Sequence, residues 1–177
     1  MDNFYEIVRH NLSRFLREAL EHLGYSHEGD KAVEIVESMS RGVEPEGTYL
    51  VYHISSLEDL GSSERSSVIL ADGKTYYKQS MRMNLHLSSF GKQSGKLLSE
   101  VYGKLPSSEE LREKLHAWGL SILKKGKFNR NPQMRGTEWV ESYNTTYEVT
   151  LIFYYSEDSN WIESVSVNGY SFKVAND

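Results

Sequence analysis

The 177-residue chain is 38% hydrophobic and has a formal net charge of −5, which suits one domain, 1–177, large enough to bury a core. It contains no cysteine, excluding disulfides, thiol nucleophiles and thiolate metal sites, and its acidic balance argues against a nucleic-acid-binding module, whose affinity rests on a basic surplus. No stretch approaches the roughly 18 apolar residues that span a bilayer, and charges recur from Asp2 through Arg9, Arg14 and Arg17, so neither a membrane contact nor a secretory leader is expected.

Residues Asn3 to Leu23 predict an amphipathic helix. Phe4, Ile7, Val8, Leu12, Phe15, Leu16, Ala19, Leu20 and Leu23 recur at three- and four-residue steps, and Gly24 stands where a helix-ending glycine belongs. Ala32 to Glu37 is a short strand on the strength of β-branched Val33, Ile35 and Val36. A loop follows from Ser38 to Gly47. Thr48 to Ser55 is a strand with apolar residues on both faces, which suggests a central position. The polar stretch Leu57 to Ser67 reads as a loop. Val68 to Leu70, Asp72-Gly73 and Thr75 onward form a hairpin signal. The strand after that turn alternates cleanly, Lys78, Ser80, Arg82, Asn84, His86 and Ser88 against Tyr77, Gln79, Met81, Met83, Leu85 and Leu87. It is therefore wet on one face and buried on the other.

Gly91 ends this strand. Lys96 to Leu105 predicts a helix that Pro106 breaks, and Ser107 with Glu110 has the spacing of a capping box for a second helix running to about Trp118. Leu120 to Lys127 reads as a strand, Asn129 to Gly136 as turn-rich, and Tyr143 to Tyr155 as a long alternating strand. Trp161 to Val167, Asn168-Gly169 and Tyr170 to Val174 read as a terminal hairpin. The order predicts an α+β fold: a mainly antiparallel sheet flanked by helices, with an N-terminal helix over 3–23 and a sheet and helix-pair core over 32–174.

Catalytic patterns are not found. The six histidines, His10, His22, His27, His53, His86 and His116, form no helical metal pair. His53 and His86 lie on different predicted strands and read as ordinary strand histidines. The adjacent acids Glu109-Glu110 suit a helix start, and Glu157-Asp158 a polar loop. No nucleophile elbow or phosphate-binding glycine loop is present. The sequence thus predicts no catalytic residue, no metal site and no cofactor.

The charge feature of interest is basic. Lys124, Lys125, Lys127, Arg130 and Arg135 fall in one short segment around Phe128. Such a run is either a solvated loop or a contact arm for an acidic partner surface. The polar loop carrying Glu58, Asp59, Glu64 and Arg65 is the second candidate contact region. The polar strand face with Lys78, Arg82, Asn84 and His86 is either solvent-facing or packed in an assembly.

Four stretches recur in a telling order. They are Pro45-Glu46-Gly47-Thr48-Tyr49-Leu50-Val51-Tyr52-His53-Ile54, then Leu85-His86-Leu87-Ser88-Ser89-Phe90-Gly91 running into a helix, then Leu111 to Gly119 closing before a strand, and Trp139 ahead of a strand ending Phe153-Tyr154-Tyr155. Across roughly Pro45 to Val167 the chain resembles the phage neck or tail terminator proteins, also called tail-completion proteins. The resemblance implies a tail-terminator-like fold and a non-enzymatic virion protein. It implies a ring of copies of the chain, commonly a hexamer, that caps the tail tube and joins it to the head or neck connector. DNA would only pass through the lumen. The implied location is the virion tail or neck, with assembly in the host cytoplasm. The alternative from the residues alone is a monomeric cytosolic module binding a peptide or small ligand.

Overall fold

A computed structural model of the protein describes residues 2–26, 28–29, 32–38, 44–60, 66–69, 74–158, 164–167 and 170–173. The N-terminal helix α1 (Asp2–His22) forms as its periodicity predicts. It buries Val8, Leu12, Phe15, Leu16, Ala19 and Leu20, and Gly24 closes it at φ +84°. The chain then runs through strands β1 (Glu34–Glu37), β2 (Tyr49–Asp59), β3 (Ser66–Ile69) and β4 (Lys74–Phe90). Helices α2 (Ser94–Lys104) and α3 (Glu109–Ala117) follow. The last part contains β5 (Leu120–Lys125), β6 (Asn129–Arg130), β7 (Gln133–Arg135), β8 (Glu138–Val140), β9 (Ser142–Asp158), β10 (Ser164–Val167) and β11 (Tyr170–Lys173).

The main sheet runs β1-β2-β4-β9-β5, with β3 also on β4 and β6 also on β9. Every pairing is antiparallel except β1 with β2. The long partners β4 and β9 pair along their whole length, from Lys74↔Asp158 to Phe90↔Ser142. The fold is α+β, as expected. One face of the sheet contributes Leu50, Tyr52, Ile54, Met83, Leu85, Leu87, Tyr147, Val149 and Leu151 to a single apolar cluster. The helices supply the rest, including Leu12 and Phe15 of α1, Leu97 and Val101 of α2, and Leu111 of α3. Residues with the opposite parity, such as Asn84, His86, Thr146 and Glu148, are only half-buried. The helices therefore cover one side and leave the other open.

The structure changes four local readings, the first at Glu157-Asp158, which form the end of β9 opposite Thr75 and Lys74 and not a polar loop. The stretch Leu57 to Ser67 is not all loop: β2 continues to Asp59 and β3 starts at Ser66. The cause is a bulge between Ile54 and Ser56. One extra residue reverses the alternation and returns Leu57 to the core side opposite Met83. The cap of α3 is Ser108, whose side chain accepts the Leu111 N–H, whereas the Ser107 hydroxyl donates to the Gly103 carbonyl. The turn-rich segment after Asn129 contains the hairpin β7–β8, paired Gln133↔Val140 to Arg135↔Glu138 around Gly136 at φ +59°. The predicted turns at Asp72-Gly73 and Asn168-Gly169, and Trp161, lie outside the described residues. The strands they would join do pair, β3 with β4 and β10 with β11.

Candidate functional site

The open face of the sheet is polar in rows. Antiparallel pairing sets residues directly opposite on one face, so His53, His86 and Thr146 form one row across β2, β4 and β9. The two imidazole rings stack with centroids 5.9 Å apart. The His86 nitrogens each face a hydroxyl, Ser55 at 2.7 Å from Nε2 and Thr146 at 2.9 Å from Nδ1. One nitrogen donates and the other accepts, so the neutral ring satisfies both contacts. Burial, and then the neighbouring His53, push the His86 pKa below its ordinary value. That bulged Ser55 reaches His86 shows what the extra residue in β2 positions.

The adjoining rows carry charge. Arg82 Nη1 donates to Glu148 Oε1 at 3.1 Å and its Nη2 lies 3.7 Å from Glu58 Oε2. Lys124 stands opposite Glu148 in the β5–β9 ladder. Glu58, Arg82, Glu148 and Lys124 thus alternate in sign across four strands. Solvent exposure keeps each such pair weak, but the alternation prevents any one sign from dominating the face.

The candidate contact residues fall in two places. Glu58 and Asp59 end β2, while Lys124 to Arg135 lies on the β9 side of the sheet; the diagonal Arg82–Glu148 pair, from neighbouring rows, lies between them. Lys124 and Lys127 are exposed and make no ion pair among the described residues. Lys125 Nζ sits 4.0 Å above the Tyr102 ring, a cation–π contact. Phe128 packs between Tyr102 and Tyr143, with centroids 5.5 Å and 5.6 Å away. Arg130 forms a two-pronged ion pair with Glu141, its Nε donating to Oε2 at 3.2 Å. Hydrogen bonding to Arg130 holds the Glu141 carboxyl below the usual range. The backbone of Arg135 is on β7. Glu64 and Arg65 lie outside the described residues.

Sequence reasoning passed over Met134 and gave Trp139 no part beyond the family resemblance. Met134 and Trp139 are 61% and 67% exposed, the most exposed large apolar residues among those described, and they face one another across the β7–β8 hairpin. The hairpin is held at its base. The Asn131 N–H donates to the Ser142 carbonyl at 2.8 Å, the Ser142 hydroxyl donates to the Asn131 carbonyl, and the Arg130–Glu141 pair lies beside them. The Gly-Thr step between two three-residue runs was the available signal, a two-residue hairpin loop with glycine first. A cleft of about 610 Å³ opens at the same end of the sheet, lined by Tyr25, Val33, Glu46, Gly47, Thr48 and Gly91 among others. Gly91 needs its φ of +96°, and a side chain there would strike the Gly47 carbonyl.

Among the described residues no group of histidines and acids could hold a metal ion, and no helix is long and apolar enough to cross a membrane. The fold and these surfaces define a class: an α+β protein whose antiparallel sheet is helix-covered on one side and polar and open on the other. The chain belongs to the phage neck terminator protein family, whose profile matches residues 7–174. That family is structural, so the chain has a phage tail or neck structural role, a place in the virion, and contacts with other tail or head proteins. Among curated proteins none matches the chain.

Proposed function

We propose that the protein is a non-enzymatic terminator that assembles as a ring, a hexamer by resemblance to its family, on the end of the tail tube. The ring stops tube growth and offers its other side to the head or neck connector, and DNA passes through its lumen. Assembly takes place in the host cytoplasm, and each subunit is one domain over 1–177. The open sheet face carries this reading. A helix-free polar surface five strands wide, β1-β2-β4-β9-β5, is large enough to meet other subunits or to face a solvated channel. Its alternating charge ladder and hydroxyl-rich rows lack the basic surplus that would bind passing DNA. Subunit contacts run through the exposed cations Lys124 and Lys127, with Lys125, Phe128, Arg130 and Arg135 shaping the same edge. The second contact is the region of Glu58, Asp59, Glu64 and Arg65. A ring needs two different patches that fit one another.

The test is mass by light scattering over a wide concentration range, with negative-stain imaging of the same samples, repeated with purified tail tubes. Rings, either free or on tube ends, are the expected result. Monomers in both series overturn the reading and favour a free ligand-binding module. Charge reversal at Lys124 and Lys127 should impair assembly and leave the circular dichroism of the monomer unchanged; unaltered assembly removes these lysines from the contact.

A further inference from the structure

We infer that neighbouring subunits join edge to edge, the open edge of β9 from Phe153 to Asp158 pairing as a parallel strand with β3 of a second copy of this chain. The inference rests on the ring reading above and names its interface. β9 outruns its neighbour on one side. β5 pairs with it only as far as Leu151, and the Ile152 N–H donates to the Gly119 carbonyl at 2.8 Å where the chain arrives from α3. From Phe153 to Asp158, β4 pairs with one edge of β9, and among the described residues no strand pairs with the other. β3 lies on the far side of β4, level with Tyr154 to Glu157 of β9. Among the described residues no strand pairs with its outer edge either. β3, β4 and β9 thus form an arm with an open edge on each side.

Backbone parity says which groups line these edges. In an antiparallel strand the N–H and C=O of one residue point to the same side, and the side alternates along the chain. Ile152 faces the β5 side, so Tyr154, Ser156 and Asp158 do as well. The Leu60 N–H donates to the Ser80 carbonyl at 3.1 Å, so Ser80, Lys78 and Tyr76 face the β3 side. Their neighbours Ser66 and Val68 face back to β4, and Ser67 and Ile69 face out. Such rows of donors and acceptors are a template for a further strand. Neither edge is guarded against one. Phe153 to Asp158 holds no proline, no lysine and no bulge, its acids come last, and Ser66 to Ile69 is uncharged.

A second copy fits as the occupant because one chain carries both halves. β3 and β9 each run antiparallel to β4, so they run the same way. Rotation about an axis along the strands therefore brings β3 of one subunit beside β9 of the next as a parallel pair, the arrangement that β1 and β2 already use. With the levels kept, Val68 stands beside Ser156, whose N–H and C=O then meet the Ser67 carbonyl and the Ile69 N–H. The two edges differ, so every subunit gives one and receives one, the condition for closing a ring. Pairing β9 with β9 would close a two-fold dimer and leave both β3 edges open.

Proline tests the junction by parity. Ser156→Pro and Ser67→Pro each remove an N–H that faces outward, so the ladders to β4 survive, as with prolines on natural edge strands. Both variants should keep the circular dichroism of the monomer and raise the concentration for half-assembly, alone or on tail tubes, at least tenfold. A second measurement uses the absence of native cysteine. Chains carrying Val68→Cys are mixed with chains carrying Tyr154→Cys, Ser156→Cys or Asp158→Cys, assembled, oxidised and run on a non-reducing gel. A mixed dimer from at least one combination is the expected product. Wild-type assembly by both proline variants, or rings without any mixed crosslink, overturns the strand junction and leaves the ring reading standing. Assembly lost with Ser156→Pro but kept with Ser67→Pro gives the β9 edge to a strand of the tail tube, and overturns the junction too. A chain that assembles neither alone nor on tail tubes overturns both.

Discussion

Tyr147 offers a quantitative check on the core. Its side chain is fully buried on β9, and no hydrogen-bond partner for its hydroxyl is found among the described residues. Burial accordingly pushes its pKa well above the ordinary phenol value. A buried polar group without a partner costs about 1–3 kcal/mol relative to its hydrated state. Tyr147→Phe removes that cost and keeps the ring. The oxygen leaves a space of roughly 10–15 Å³, which at ~24 cal/mol per Å³ costs about 0.3 kcal/mol. The net expectation is a gain of about 1–2 kcal/mol. For a chain of this length each kcal/mol moves Tm by about 2–4 °C, so the substitution should raise Tm by about 2–8 °C. The assay is thermal unfolding by circular dichroism at one protein concentration, because assembly makes Tm concentration-dependent. A Tm that falls by a few degrees refutes the reasoning: the hydroxyl would then have a partner, such as an enclosed water, and be an asset to the fold.

Other expectations test other parts of the structure. Ser108→Ala should cost about 1 kcal/mol in urea unfolding through the lost cap of α3, while Ser107→Ala should change little; the reverse order would restore Ser107 as the cap. Gly91→Ala should destabilise by at least about 1–3 kcal/mol, since the site has a positive φ and a methyl group would meet the Gly47 carbonyl; a wild-type urea midpoint would contradict that geometry. With its folded pKa lowered, His86 takes up a proton later than it does in the unfolded chain. Stability should thus fall as pH drops through about 6.5 and level off below the folded value. His86→Gln should flatten that part of a stability–pH profile, and an unchanged slope would assign it to another group.

The strands that face the helices were legible because their alternation records burial directly. Met83, Leu85 and Leu87 on β4 and Tyr147, Val149 and Leu151 on β9 are core residues at every second position. The same logic failed where parity breaks. Ser55-Ser56 and the exposed Leu123, skipped in the β5 register between Ile122 and Lys124, sit at bulges that no period-2 pattern anticipates. The hairpin was missed because two three-residue strands, of which only Val140 is half-buried among the described side chains, leave no pattern. The contact residues were visible only as a charge run. That Lys125 covers Tyr102 and Phe128 fits between two tyrosines depends on α2 packing against β4 and β9 so that Tyr102 reaches them, a long-range placement absent from local sequence. The ladder from Glu58 to Lys124 exists only once the register of four strands is known.

The bulge in β2 also makes strand length itself a heritable constraint. Deleting Val51 would leave composition and charge almost untouched, yet it would act along the strand like a slipped reading frame. With Val51 gone, Tyr52 and Ile54 would turn to the open face and His53 inward against the apolar cluster. Deleting Ser55, by contrast, would only remove the bulge and keep Ile54 and Leu57 on one face. Variation in this stretch is therefore expected as substitution rather than as gain or loss of a residue. A library of single-residue deletions should show an abrupt loss of folding from Tyr49 to Glu58, relieved at Ser55 and Ser56, where losing the extra residue keeps both halves of the strand in phase.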